Sequence, residues 1–158
     1  MPSLEPILQH AIPFGLVLAR VAGLFVTSPI LAAVGVPMRA RALIAAALAA
    51  AVYPVVPPSF QATDAGWLDL LPMLVGETLI GAAIGLIAGV PMAAMDMAGT
   101  FAGQVMGLGL ARVYNPEFDT DFDVLGQFLY ITAGTVFVAL GGLEWMFLAL
   151  ARTFERVP

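Results

Sequence analysis

The chain has 158 residues, of which 61% are hydrophobic and 11% are charged, and its mean hydropathy is +0.97. A soluble domain carries about 25% charged residues, so this composition excludes an ordinary water-soluble enzyme and a disordered linker. Six basic residues, all of them arginine, against eleven acidic residues give a net charge of −5, which excludes a nucleic-acid-binding protein with a basic face. The composition therefore indicates a membrane protein or a subunit that is buried in a larger hydrophobic assembly.

Five apolar segments predict an all-α, integral-membrane-type protein built of helical hairpins, with one domain over residues 1–158. The segments are 7–36, 42–56, 70–95, 97–111 and 124–151. A bilayer core of about 30 Å needs about 20 helical residues to cross, so the second and fourth segments are marginal as full spans. The first segment has no basic residue before Arg20. We therefore expect it to stay in the structure rather than to be removed as a signal peptide.

The placement of arginines predicts an orientation. Arg39 and Arg41 lie between the first two segments, and Arg152 and Arg156 follow the fifth. If all five segments cross the membrane, these two regions lie on the same side. Basic loops are typical of the cytoplasmic side, so we expect both regions to face the cytoplasm.

Small residues recur every four positions in three of the segments, which places them on one helix face. The glycines in these series are Gly15, Gly23, Gly81, Gly85, Gly89, Gly99, Gly103 and Gly107. Such stripes let helix backbones approach closely inside a membrane. We therefore predict glycine-striped helix packing, with the partner helix either in this chain or in another.

Four charged residues lie within or beside the apolar segments. They are Arg20, Glu77, Asp96 and Glu144. A buried unpaired charge costs several kcal/mol, so each of them needs a partner or a water-filled path. One interpretation is an ion pair between Arg20 and either Glu77 or Glu144. The other is a proton relay or a pore lining.

No arrangement of residues for catalysis is present. Serine occurs only at positions 3, 28 and 59, histidine only at position 10, and lysine and cysteine are absent. The chain therefore has no nucleophile triad, phosphate-binding lysine loop or thiolate metal site. The acidic run 117–123 lacks the glycine and the final glutamate of a calcium-binding loop. We predict no enzymatic activity, no cofactor and no metal.

Several short motifs occur together in a recognisable order. They are RVAGLF from Arg20, ETLIGAAIG from Glu77, QVMGL from Gln104, the pair Asn115-Pro116 and GGL from Gly141. In this order the chain resembles the FliR family, the R subunit of the flagellar export gate, and its counterparts in virulence-type secretion. It differs in having Asn115 where the family usually has aspartate and Glu144 where the family often has histidine. It is also shorter than family members at its C-terminal end.

The resemblance implies a non-enzymatic, pore-forming subunit that joins P-type and Q-type subunits and larger export-gate components. It would contact membrane lipid and pass unfolded substrates, in the bacterial inner membrane at the flagellar basal body. The region 110–123 matches the part of the family near the closed pore. The residues that we expect to form a pore or plug loop are Leu110, Ala111, Arg112, Asn115 and Pro116.

An alternative function is a self-contained proton- or ion-coupled small membrane transporter. In that case Glu77, Asp96 or Glu144 would titrate during transport. The resemblance does not distinguish flagellar from virulence-type secretion.

Overall fold

The described part of the chain is helical. A computed structural model describes residues 5–32, 37–56, 67–107 and 124–156, and these contain no β-strand. The helices are α1 (Glu5–Thr27), α2 (Met38–Val52) with a 3-10 turn at Tyr53–Val55, α3 (Trp67–Val105), α4 (Val124–Ala139) and α5 (Gly142–Arg156). The prediction of an all-α protein with about five apolar helical segments is confirmed.

The division of the last three segments differs from the prediction. Segment 70–95 and the part of segment 97–111 up to Val105 lie in one helix, α3, because a single aspartate at position 96 does not interrupt backbone hydrogen bonding. The helix ends instead before Gly107, whose φ of 77° is left-handed. The predicted segment 124–151 is divided into α4 and α5 by Gly141, whose φ is 78°. Glycine adopts this backbone region without the penalty that a Cβ imposes.

Prolines set the other helix ends. The first helix stops at Thr27 rather than continuing to position 36, since a proline disfavours helical backbone in the residue before it and Pro29 follows closely. Pro37 is the N-cap of α2, and Pro54 lies in the 3-10 turn after it.

Three stretches of the described residues are long and apolar enough to cross a membrane. They are His10–Thr27, Met38–Val55 and Leu70–Val105, and α4 with α5 adds a fourth if the pair forms one broken span. The sequence-based orientation assumed five crossings. Because α3 unites two predicted segments, the described residues offer at most four spans, and the orientation stays a prediction.

The chain packs as two compact units. The first comprises Met1–Ala88 and Glu144–Pro158, and the second is Gly89–Leu143. Among the buried apolar side chains of the first unit, five lie on α1, three on α5 and two on α2, and Val56 follows the 3-10 turn. They are Leu16, Val17, Val21, Leu24, Phe25, Ala45, Ala49, Val56, Met146, Leu150 and Phe154. Helix α1 is thus the centre of this unit, and the prediction of a single domain stays a prediction.

Glycines allow α1 and α3 to pack with their backbones in contact. A Cβ on Gly81 would overlap the carbonyl group of Arg20, and one on Gly23 would overlap the carbonyl oxygen of Thr78. At Gly85, a Cβ would lie 2.9 Å from the carbonyl oxygen of Leu24. These three positions therefore have no room for any side chain.

The second unit contains a similar contact between α3 and α4. A Cβ on Gly99 would lie 2.5 Å from the Cα of Gly126 and 2.7 Å from the carbonyl oxygen of Leu125. Two glycines thus face each other across this helix pair. Gly103 is also buried, and Gly89 is half-buried.

Two of the predicted packing glycines have other surroundings. A Cβ on Gly15 would meet no atom within 4 Å, so Gly15 is not at a close helix contact within the described residues. Gly107 lies beyond the end of α3, where its N–H donates to the carbonyl oxygen of Gln104 at 3.0 Å. It terminates the helix rather than packing it, because its left-handed backbone is incompatible with another helical turn.

The glycine contact between α1 and α3 leads to a test. We expect Gly81→Ala to lower the stability of the chain by about 1–3 kcal/mol, because the atoms it would overlap belong to the backbone of α1. The measurement is the melting temperature of the purified chain in mild detergent. The control is Gly76→Ala in the same helix, where a Cβ meets no atom within 4 Å. Equal melting temperatures for the two variants would contradict the close packing.

Candidate functional site

A buried arginine on α1 forms the most strongly connected polar site in the described residues. Arg20 has no solvent-exposed side-chain surface, and it lies one helical turn from Leu16 and from Leu24, which are also buried. Its guanidinium forms a two-pronged ion pair with Glu77 of α3. Nη2 donates to Oε1 at 2.8 Å, and Nε donates to Oε2.

The same guanidinium also contacts α5. Its Nη1 donates to the hydroxyl oxygen of Thr153 at 3.0 Å, and that hydroxyl donates in turn to the carbonyl oxygen of Leu150 at 2.6 Å. The guanidinium carbon lies 4.0 Å from the centre of the Phe154 ring, a distance typical of a cation–π contact. We call Arg20, Glu77, Thr153 and Phe154 the Arg20 cluster.

The Arg20 cluster satisfies the physical requirements of a buried charge. Desolvation of each ion costs several kcal/mol, which is offset only by good geometry and further hydrogen bonds. The planar guanidinium matches both carboxylate oxygens, and the side chain of Glu77 is only 11% exposed. The cluster thus joins three helices that are far apart in sequence.

A hydroxyl group strengthens the same contact of α1 with α3. Thr27 lies seven residues after Arg20, two turns along the same face of α1. Its hydroxyl donates to the carbonyl oxygen of Ala82 at 2.9 Å. Thr27 is not among the predicted site residues, although its spacing from Arg20 is a usable signal. Thr153 and Phe154 are not among them either, because the contact with Arg20 joins residues 133 positions apart.

The other two charges predicted to be buried are exposed. Asp96 lies on an open part of α3, and Glu144 lies in the first turn of α5. A carboxylate in the first turn of a helix is stabilised by the partial positive charge there, so Glu144 needs no buried partner. Of the two acids considered for Arg20, the structure brings Glu77 to it.

The predicted pore or plug residues belong to the stretch between α3 and α4 in sequence. Leu110, Ala111, Arg112, Asn115 and Pro116 all lie outside the described residues. Within the described part, no group of three or more histidine, aspartate or glutamate side chains is arranged to hold a metal ion.

The helical architecture and the apolar spans define a membrane-type protein in which a buried ion pair connects α1 with α3. The chain belongs to the family of bacterial export proteins, family 1, whose family model matches residues 11–158. This agrees with the resemblance found in the sequence motifs. The apolar helices and the family together indicate a membrane location.

Individual relatives are flagellar and secretion-system proteins. The chain is 32% identical to flagellar biosynthetic protein FliR of Escherichia coli K12 over 143 residues, which cover 89% of this chain and 53% of the relative. It is 33% identical over 122 residues to FliR of Bacillus subtilis 168, covering 76% of this chain and 46% of the relative.

A third relative belongs to a secretion system. The chain is 26% identical over 113 residues to secretion system apparatus protein SsaT of Salmonella typhimurium LT2, covering 67% of this chain and 42% of the relative. The chain thus spans about half the length of the curated relatives it matches.

The Arg20 cluster leads to a second test. We expect Arg20→Ala and Glu77→Ala each to destabilise the chain by about 3–5 kcal/mol, because each leaves a buried charge without its partner. The double variant should cost less than the sum of the two single variants, since neither charge is then left alone. The measurement is denaturant or thermal unfolding in detergent. Additive effects would show that the pair is not coupled.

Proposed function

We propose that the chain is a non-enzymatic, pore-forming subunit of a flagellar or type III protein export gate. In this proposal it assembles with P-type and Q-type subunits and larger export-gate components in the bacterial inner membrane, at the flagellar basal body in the flagellar case. Unfolded protein substrates pass through the assembled pore. Membership of the export family and the flagellar and secretion-system relatives support this proposal.

The main structural support for the proposed assembly is the length of the apolar part of α3. Leu70–Val105 comprises 36 residues, and a helix of that length measures about 54 Å along its axis. The hydrocarbon core is about 30 Å thick. Even a tilt of about 40°, at the upper end of the usual range, leaves the helix spanning about 41 Å.

The apolar part of α3 is longer than the hydrocarbon core is thick, so the part outside the core must be covered by protein. Many large apolar side chains of α3 are exposed to solvent. Six of them are Leu79, Leu86, Ile87, Val90, Phe101 and Val105, each at least 60% exposed. Exposed apolar surface of this extent is typical of an interface with other proteins or with lipid. Because lipid alone cannot cover the whole helix, neighbouring subunits are the better explanation.

The proposed mechanism divides roles between two parts of the chain. The buried polar contacts of Arg20 connect α1 and α5 to the part of α3 around Glu77, and we propose that residues 110–116 supply the loop that closes the pore. Opening would require movement of that loop while the helices stay in place. The energy for transport would come from other components of the apparatus.

A transporter that titrates Glu77 is less well supported. Both carboxylate oxygens of Glu77 are engaged by Arg20, so a proton relay through this residue would have to break a buried ion pair. The Glu77→Gln variant distinguishes an ion-coupled transporter from an export-gate subunit. A transporter would lose coupled flux while staying intact, whereas a gate subunit would lose assembly or leak.

Co-expression tests the proposed assembly. We expect a tagged chain, co-expressed with P-type and Q-type subunits and purified in mild detergent, to give one discrete complex that contains all three proteins by native mass spectrometry. The Gly81→Ala variant should reduce its yield, and the matched Gly76→Ala variant should not. Recovery of the wild-type chain alone as a monodisperse species would contradict the proposal. Aggregation would call for the same measurement on a chain of the relatives' full length.

A further inference from the structure

Near its middle, the helix α3 has a stretch of six residues in which no side chain is buried. This stretch is 86–91, and the large side chains of Leu86, Ile87 and Val90 within it are each at least 60% exposed. Six residues make about one and a half helical turns, so every side of the helix is represented. Few buried contacts are typical of a part of a structure that bends at low cost.

The helix is packed on both sides of this stretch. Gly85, immediately before it, lies against the backbone of α1. Met92, immediately after it, is 1% exposed, and a Cβ on Gly134 of α4 would lie 3.9 Å from its sulfur. The division of the chain into two compact units falls between Ala88 and Gly89, inside the stretch. Different parts of the chain therefore hold the two ends of the stretch.

A proline weakens the backbone of the same stretch. Pro91 lies inside α3 and has no N–H, so the carbonyl oxygen of Ile87 lacks its usual helical donor, and the proline ring crowds that carbonyl. Sharp bends of helices occur mostly at such positions. Gly89 lies between the two residues, and glycine has the greatest backbone freedom. Pro13 in α1 is a contrast, because it is fully buried and packing supports the helix there.

We propose that residues 86–91 form a hinge in α3, about which its second half changes direction until neighbouring subunits bind and fix the angle. The missing hydrogen bond and the lack of buried side chains coincide in this stretch, so a bend there breaks little packing. Subunits that cover its exposed apolar side chains would hold both halves of the helix at once. The fixing of the angle rests on the proposed assembly, whereas the hinge itself does not.

The distance between two spin labels tests the hinge. The chain contains no cysteine, so Leu79→Cys with Met97→Cys provides two unique sites for labels, and both positions are at least 60% exposed. They are 18 positions apart in sequence, which is about five turns and about 27 Å along the axis, so they lie on one face of the helix. A bend between them moves the labels together or apart. We expect double electron–electron resonance on the full chain in lipid nanodiscs to give a broad or double distance distribution.

Restoring the missing hydrogen bond should remove the hinge. We expect Pro91→Ala to narrow the distance distribution roughly twofold, to a single distance, and Pro91→Leu, a second helix-forming substitution at this exposed position, to do the same. Pro72→Ala replaces an exposed proline near the start of the same helix and should leave the distribution broad. A single narrow distance in the labelled chain with Pro91 in place, or equal distributions with and without Pro91, would overturn the hinge.

The assembled complex gives a second readout. With P-type and Q-type subunits bound, the same two labels should give one narrow distance while Pro91 is in place. A distribution as broad in the complex as in the free chain would overturn the fixing of the angle by assembly. Failure of the unlabelled chain to form any complex would overturn the proposed function and the fixing of the angle with it, whereas the distances in the free chain would still establish or refute the hinge.

Discussion

The buried charge of Arg20 constrains the rest of the first unit. A guanidinium without solvent contact must find hydrogen-bond acceptors inside the protein, and α1 alone offers no carboxylate at that depth. Glu77 supplies both of its oxygens from α3, and Thr153 supplies a hydroxyl from α5. Without α3 the charge would lose its carboxylate partner, and without α5 it would lose the hydroxyl acceptor and the Phe154 ring. The ion pair therefore specifies which helices are neighbours, whereas apolar packing alone would tolerate several arrangements.

The close approach of the backbones makes this ion pair geometrically possible. Gly81 lies one turn after Glu77, and its missing side chain allows the carbonyl group of Arg20 to lie against α3. A larger residue there would separate the two helices and lengthen the contacts between guanidinium and carboxylate. The glycines and the charges are thus parts of one interaction, since the glycines set the distance that the charged side chains bridge.

The two halves of α3 have different relations to the rest of the chain. The first half is anchored to α1 by the ion pair and the glycine contacts. The second half packs on α4 through Gly99 and Gly126 but keeps most of its apolar surface, together with Asp96, uncovered. A surface of that kind is stable in a subunit that meets other subunits. It fits the family of bacterial export proteins to which the chain belongs.

The sequence by itself determined the all-helical fold, the membrane-type composition and the family. These follow from composition, short motifs and backbone chemistry, which act over a few residues. Only the tertiary structure decided that Arg20 pairs with Glu77 rather than Glu144. It also showed that Gly107 ends a helix while Gly81 packs against one. The choice of Glu77 depends on a contact between residues 57 positions apart, and no local pattern records which distant helices come together.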